Sequence, residues 1–591
     1  LYRVGGTLTS SGSFGAAVFS NETGRTQFND TTNPSSFLSD ESNGGINISY
    51  VGNPGSTIDF SVTNLVLVPT MENISFDSDN DGNINPGEEI ILDLTIENFS
   101  DNITATNMTA ILSANNDIII NNPILNFNNQ SLSSNEALNS SYVLNIANDI
   151  DLGTTELLLT IEANYTENDE YLSYINQSSH AIDINLLQSG FPYYTSSEVI
   201  STPTVIDLNN DGQKEIFFSD QTGVIRLLNK DGLEVVTNIF PFETNNQIWG
   251  TPAIADLNND GADEIIFTSK DKTLYAFSYD NLLFSYDASS WLIGTPAIAN
   301  IDDDLELEII VGGYSSSNKK LFAINHDGSD VLNFPVDIGE KIQKGCSLHD
   351  FDNNGKSDIV FGTDSNNIYL VNDDGSIADG FPYLTNGKIR TETLIVDFNG
   401  EPIIIAGTDQ GTIYSVDSTG QLRFSFDTDS EITVSPSILS IGNISYVVIG
   451  NSGGDVYAFD FYGNLHPDFP INITHSIVGN ILFTDLNNTN TDEMIVLDSQ
   501  GNLNIFDFTL SNYINTPLKY DFSFSSSPAI EDIDNDGDLE ILAGTVNSVY
   551  IADIKETSSL NNSWNIFRGD YKRTGLFTYN NCNPGDLNDD N

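Results

Sequence analysis

The stretch "DLNNDGQKEIFFSD", residues 207–220, decides the fold. It places Asp207, Asn209, Asp211 and Glu215 at alternate positions of a tight turn that runs straight into an apolar strand-like segment. Gly212 supplies the left-handed backbone angle that such a turn needs. Hard oxygen donors in this number, without nitrogen or sulfur, suit Ca²⁺ rather than Zn²⁺ or Cu²⁺.

The same set recurs as Asp256, Asn258, Asp260 and Glu264, then as Asn300, Asp302, Asp304 and Glu308. It returns as Asp350, Asp352, Asn354 and Asp358, and as Asp532, Asp534, Asp536 and Glu540. Three further copies are eroded: "DFNGEPIII" from Asp397, "SIGNISYVV" near Ser440, and "DLNNTNTDE" from Asp485, where Thr489 replaces an acid. Weak metal binding or none is expected there. Because a unit can lose its ligands, the ions are expected to brace single units, not to share one active centre.

Each unit has an apolar run such as "TPAIADL", the acidic loop, a second run such as "EIIFTS", a third such as "TLYAFSYD", and a variable fourth containing Phe-Pro. Four short strands per unit of about 45 residues is the pattern of a β-propeller blade. The units add to eight blades, with seven as the alternative. A strand from one end of the repeat region, from "INLLQSGFPYYT" or from around Trp564, is expected to pair with the other end and so remove exposed sheet edges.

Upstream, "EEIILDLTIENFS", "NMTAILSA", "SYVLNIA" and "TELLLTIEANY" alternate apolar and polar residues between Asn/Ser/Asp turns. Period-two strands at this spacing predict an immunoglobulin-like β-sandwich. Within it, "DSDNDGNINPGE" has the spacing of an EF-hand calcium loop, with Asp77, Asp79, Asp81 and Glu88 ligating by side chain and Asn83 by its carbonyl. The flanking segments are strand-like, so the loop is expected without the EF-hand helices. The fold class is therefore all-β, a sandwich followed by a propeller. The expected boundaries are 1–62 for the tail of an upstream domain, 63–188 for the sandwich, 189–577 for the propeller and 578–591 for the start of a further module.

The chain of 591 residues carries 20 basic and 84 acidic residues, a net charge of −64. Such a field repels nucleic acid and anionic membrane surfaces, and no apolar run is long enough for a membrane helix. Neither nucleic-acid binding nor membrane insertion is expected. The acids cluster in Asp/Asn/Gly loops between apolar runs, which suits a folded, cation-binding protein. It is expected to be secreted or displayed at a cell surface, and of bacterial origin. Cys346 and Cys582 are the only cysteines, so no disulfide framework holds the chain. Cys346 stands where sister units have Pro and reads as a small core residue.

The repeats "DLNNDGQKEIFFSD", "DFDNNGKSDIVFGTD" and "DIDNDGDLEILAGT" resemble the FG-GAP/VCBS family of propeller repeats. That resemblance implies calcium loops that stabilise blades, and a propeller that supports adhesion or ligand binding. The third strands "GTIYSVDSTGQLRFSF" and "GGDVYAFDFYGNL" also resemble those of quinoprotein propellers, but the vicinal cysteine pair common in quinoprotein dehydrogenases is missing. The opening "LYRVGGTLTSSGSFGAAVFSNETGRTQFND" is similar to the closing segment of immune-inhibitor-A-like (M6) secreted zinc metallopeptidases. The family's HExxH is missing, so no catalytic residue carries over and zinc is expected only in a domain upstream. The terminal "NPGDLNDDN" resembles the first calcium loop of a dockerin, with Asp586, Asn588 and Asp590 as ligands.

No GxSxG elbow, Walker loop or dinucleotide fingerprint is present. Arg568-Gly569-Asp570 matches an integrin-binding tripeptide, but the segment is expected to pack Trp564 and Phe567 at the propeller's closure. The expected function is a calcium-stabilised accessory or binding region of a secreted multidomain protein, attached to an M6-like peptidase and docking on an extracellular protein or glycan. The alternative is a purely adhesive or structural surface protein.

Overall fold

A computed structural model describes residues 47–49, 61–63 and 65–579, apart from 72, 79–81, 399, 443, 508, 514, 515, 559 and 561–563. The M6-like opening falls almost wholly outside the described residues, and the dockerin-like end and Cys582 fall outside entirely. Strands dominate; the only helical turn among the described residues is the 3₁₀ turn Phe567–Gly569. Contacts divide the chain into two units, Leu1–Leu186 and Leu187–Asn591.

In the first unit, one sheet orders Glu170–Ile184, Gly153–Glu167, Ala105–Ser113 and Ile124–Leu132. The other orders Leu67–Thr70, Glu89–Asn98, Ala137–Ile146 and Ile118–Ile120, with Ile74–Phe76 also on Glu89–Asn98. The alternation read from the sequence is the burial pattern. Along Glu89–Asn98, Ile90, Leu92, Leu94 and Ile96 are buried while their neighbours are less so. Both sheets feed one core that includes Ile90, Leu94, Met108, Leu144 and Leu159. Asn98 is buried in it as a polar clip, its Nδ2 donating to the carbonyls of Ile103 at 2.9 Å and Leu132 at 2.8 Å.

Among the described residues the second unit is a succession of eight small sheets. The first sheet is typical: Thr204–Ile206, Glu215–Ser219, Val224–Leu228 and Phe242–Glu243, each antiparallel to the next. Its second strand is buried along its whole length, which is why "EIFFS" reads as continuously apolar instead of alternating. Strand Glu264–Thr268 repeats this in the second sheet, Glu308–Gly312 in the third and Asp358–Gly362 in the fourth. Cys346 is fully buried against Ala297, Leu348 and Phe361, in the core shared by the third and fourth sheets.

The last sheet takes its outer strand from the other end of the unit. Tyr193–Tyr194 pairs with Ser548–Ile554, and Thr204–Ile206 of the first sheet touches Ala529–Glu531 of the last. The succession therefore closes on itself, as a propeller-like arrangement requires to eliminate free edges. Of the two closures expected, "FPYYT" provides the pairing strand.

The segment after Trp564 does something else. It runs across the innermost strands of four consecutive sheets, whose N–H groups donate to it: Ile254 to Tyr571 O, Ile298 to Lys572 O, Leu348 to Thr574 O and Ile395 to Gly575 O, all at 2.8–3.0 Å. It ends as strand Leu576–Tyr579, parallel to Leu394–Phe398. Arg568 and Arg573 are buried along it. Arg573 donates to the carbonyls of Pro252 at 3.0 Å and Phe567 at 2.9 Å, while Arg568 donates to the Arg573 carbonyl at 2.8 Å and to Cys346 O. The Arg-Gly-Asp tripeptide is thus part of the packing: Asp570 accepts from the Thr574 N–H at 3.0 Å and from its hydroxyl.

Candidate metal centres

Each acidic loop leads from the innermost strand of its sheet into the second. The last acid of the loop pattern is the first residue of the second strand at Glu215, Glu264, Glu308 and Asp358, and the second residue at Glu540, which follows Leu539. One hydrogen bond recurs: the N–H of the loop's second residue donates to that terminal carboxylate. It joins Leu208 to Glu215, Leu257 to Glu264, Ile301 to Glu308, Phe351 to Asp358 and Ile533 to Glu540, at 2.6–3.3 Å. Of the three eroded loops, the one from Asp485 keeps it too, from Leu486 to Glu493 at 2.8 Å.

The first loop carboxylate fixes the turn itself. Asp207 accepts from the N–H groups of Asp211 and Gly212, Asp256 from Asp260 and Gly261, and Asp350 from Asn354 and Gly355, at 2.7–3.0 Å. The fold of the loop requires left-handed backbone at Asn210 (φ 59°) and Gly212 (φ 87°), which the Asn-Asp-Gly sequence supplies at little cost.

Three of the five propeller-region loops bring their carboxylates together. Oxygens of Asp302, Asp304 and Glu308 lie within 4.8 Å of one another, as do those of Asp350, Asp352 and Asp358, and those of Asp532, Asp534 and Glu540. Asn300 Oδ1, Glu308 Oε1, Asp532 Oδ1, Asp534 Oδ1 and Glu540 Oε1 are buried without a hydrogen-bond partner. Buried carboxylate and amide oxygens are costly unless paired, so these sets fit a hard cation. The loops at Asp207 and Asp256 assemble no such trio among the described residues. In the first, Glu215 Oε1 is taken by Asn209 Nδ2 at 3.0 Å.

Burial raises the terminal acids. It lifts Glu215, Glu264 and Glu493 to about 7 and Glu308 to about 8, against the pull of the loop N–H; Asp358 rises to about 6. In the last sheet burial, joined by mutual repulsion, drives Asp538, Glu540 and Asp553 upward as a set.

In the first unit, Asp77 and Glu88 are buried at the ends of the EF-hand-like loop. Asp77 Oδ2 accepts from Gly82 N at 3.1 Å and Glu88 Oε2 from Asn85 N at 2.8 Å, while Asp77 Oδ1 has no partner. Asn83 is half-buried between them. Asp79 and Asp81 lie outside the described residues.

A second feature lies at the innermost strands. A cavity of about 210 Å³ is lined by the residues that enter those strands, among them Thr251, Thr295, Lys344, Glu392 and Asn480, with Trp249 at its side. Neighbouring units are laced by N–H to hydroxyl bonds, Thr202 to Thr251 at 3.1 Å, Glu392 to Ser435 at 2.9 Å and Asn480 to Ser527 at 2.9 Å. Burial would push Glu392 up, but Lys344, Arg568 and the Ser435 hydroxyl together hold it below the usual carboxylate range. Glu392 and Asn480 are absent from the sequence-based expectations because five of the other six repeats place Thr or Ser at their position, the sixth having Gly345. Their departure from the pattern is the one signal that could have found them.

The FG-GAP-like repeat family matches residues 207–267. A search of the curated proteins gave no match. Among solved structures, the chain is similar to the V. cholerae biofilm matrix protein Bap1, at 12% identity over 65% of this chain and 94% of that one, with a TM-score of 0.49. It is also similar to Saccharomyces cerevisiae Sqt1, at 11% identity over 64% and 100% of the two chains, TM-score 0.46. BamB from Moraxella catarrhalis matches at 14% identity over 51% and 94%, TM-score 0.34. The chain is an all-β protein with a propeller-like fold that carries an FG-GAP-like repeat. No helix among the described residues is long and apolar enough to cross a membrane.

Proposed function

We propose that this chain is a calcium-braced binding region of a secreted or surface-displayed protein, built as an immunoglobulin-like sandwich followed by an eight-bladed propeller. The observation that carries the reading is the set of buried, partnerless carboxylate oxygens at the loops joining first and second strands. A divalent cation there replaces repulsion with coordination and ties two strands of a blade together. The loops lie at the blades and the ligand faces the axis: the cavity by Trp249, Lys344, Glu392 and Asn480 offers donors and acceptors on a rigid ring, suited to a glycan or a polar protein side chain. An M6-like peptidase upstream and a dockerin-like module downstream belong to the same proposal, in which this region holds an enzyme near its substrate.

Melting the 591-residue chain with and without Ca²⁺ tests the bracing. A ligand that binds only the folded state stabilises by mass action, by about 4 kcal/mol at a thousandfold excess over its Kd. An unchanged melt sinks the reading. A glycan microarray probed with the native chain and with Asn480→Ala tests the docking face, and signals equal for the two remove the cavity from it.

A further inference from the structure

The last sheet holds more buried carboxylate than its loop pattern accounts for. Asp538 follows Gly537 at a position where three other loops carry Gln213, Ala262 and Lys356. A fourth carries Glu306, whose Oε2 is occupied by the Leu305 N–H at 3.1 Å. Asp538 has no such occupant: its Oδ1 is buried and partnerless. Its carboxylate lies with those of Asp536 and Glu540 in a group whose oxygens are within 4.8 Å of one another, distinct from the Asp532, Asp534 and Glu540 group.

A further acid, outside both groups, faces the Glu540 that they share. Asp553 stands opposite Glu540 in the antiparallel pairing of Leu539–Gly544 with Ser548–Ile554, so the two side chains share one face of the sheet. Asp553 is 1% exposed and Glu540 fully buried. Glu540 Oε2 takes the Ile533 N–H at 2.6 Å and Asp553 Oδ2 takes Lys555 Nζ at 2.5 Å, which leaves Glu540 Oε1 and Asp553 Oδ1 without partners. One ammonium therefore stands against four carboxylates, on a sheet where two of them are closed off from water.

We propose that the last sheet is a two-cation site, in which Glu540 bridges one cation held by Asp532 and Asp534 and a second held by Asp536, Asp538 and Asp553. All donors are hard oxygens, so the second ion is of the Ca²⁺, Mg²⁺ or Mn²⁺ class. A shared carboxylate sets two such ions about 4 Å apart. The second ion ties the loop to strand Ser548–Ile554, the strand on which Tyr193–Tyr194 closes the succession of sheets. It would serve as a clip on the closure. Only the first ion rests on the bracing function proposed above; the second stands on the orphaned oxygens of Asp538 and Asp553.

Crystals of the 591-residue chain soaked in Mn²⁺ and measured at the manganese edge provide the test. Two anomalous peaks about 4 Å apart are expected beside Glu540, with at most one at each other loop. Asp538→Asn should keep the inner peak, remove the outer, and lower by one the Mn²⁺ retained per chain in equilibrium dialysis. A single peak among Asp532, Asp534 and Glu540 in the native crystal overturns the second site while leaving the bracing intact. No peak at any loop overturns both.

Discussion

If the acidic loops hold the cation proposed above, removing it should invert the way this protein responds to acid. In the metal-stripped chain, Glu215, Glu264, Glu308, Asp358 and Glu493 are held by burial at about 6 to about 8. Once unfolded they return to the ordinary carboxyl range near 4. Between those limits the folded state binds protons that the unfolded state has released, so folding takes up protons and stability falls as pH rises from about 5 to about 8. Each tenfold change in a carboxylate's proton affinity is worth about 1.4 kcal/mol. Allowing for the water that reaches these surface loops, about 1 kcal/mol for each acid gives about 5 kcal/mol over the five. For a unit this large that is a midpoint change of about 5 to 10 °C. The net charge of −64 pushes the same way through general repulsion. The scans therefore belong in about 1 M KCl, where the screening length is about 3 Å and surface repulsion is suppressed while the buried loops are not.

Differential scanning calorimetry of stripped protein at pH 5 and pH 8 should show the higher melt at pH 5. With saturating Ca²⁺ the order should reverse, because ligands bound as carboxylates must be protonated to release the ion. Glu264→Gln should flatten the stripped slope without abolishing it. If stripped protein in high salt melts at the same temperature at both pH values, or lower at pH 5, the buried acids are not the groups that govern stability.

The other predictions concern single residues. Glu308→Gln should lower the Ca²⁺-dependent rise in melting temperature, since it removes the charge of an oxygen pair with one partnerless atom; an unaltered rise in a calcium titration refutes the role. Arg573→Met should cost about 3 kcal/mol in a denaturant melt, because it strands the carbonyls of Pro252 and Phe567. Asn98→Ala should cost about 2 kcal/mol in the first unit's transition, through the carbonyls of Ile103 and Leu132. Asp570→Glu should leave cell attachment unchanged in an adhesion assay, since Arg568 is buried and Asp570 is engaged by Thr574.

What the sequence disclosed and what it withheld divide along a physical line. The loop "DLNNDGQKE" is legible because its information is local: Asp207 folds back on Asp211 and Gly212, four and five residues away, and the same residues specify the turn and supply the oxygen donors. The strands are legible for a related reason, since five consecutive buried positions in Glu215–Ser219 leave a continuous apolar run. Which loops gather their oxygens is not local. Glu215 and Glu308 sit in the same pattern, yet Asn209 occupies the first and the second keeps an orphan oxygen. The closing sheet shows the limit most clearly. Asp553 meets Glu540 only because strand pairing sets it opposite, and the path of Arg568 and Arg573 across four innermost strands depends on residues more than two hundred positions away. A periodic sequence reports what each unit repeats. The groups that join the ends are the departures from period, and Asp538 and Glu392 stand out as such even where their surroundings cannot be read.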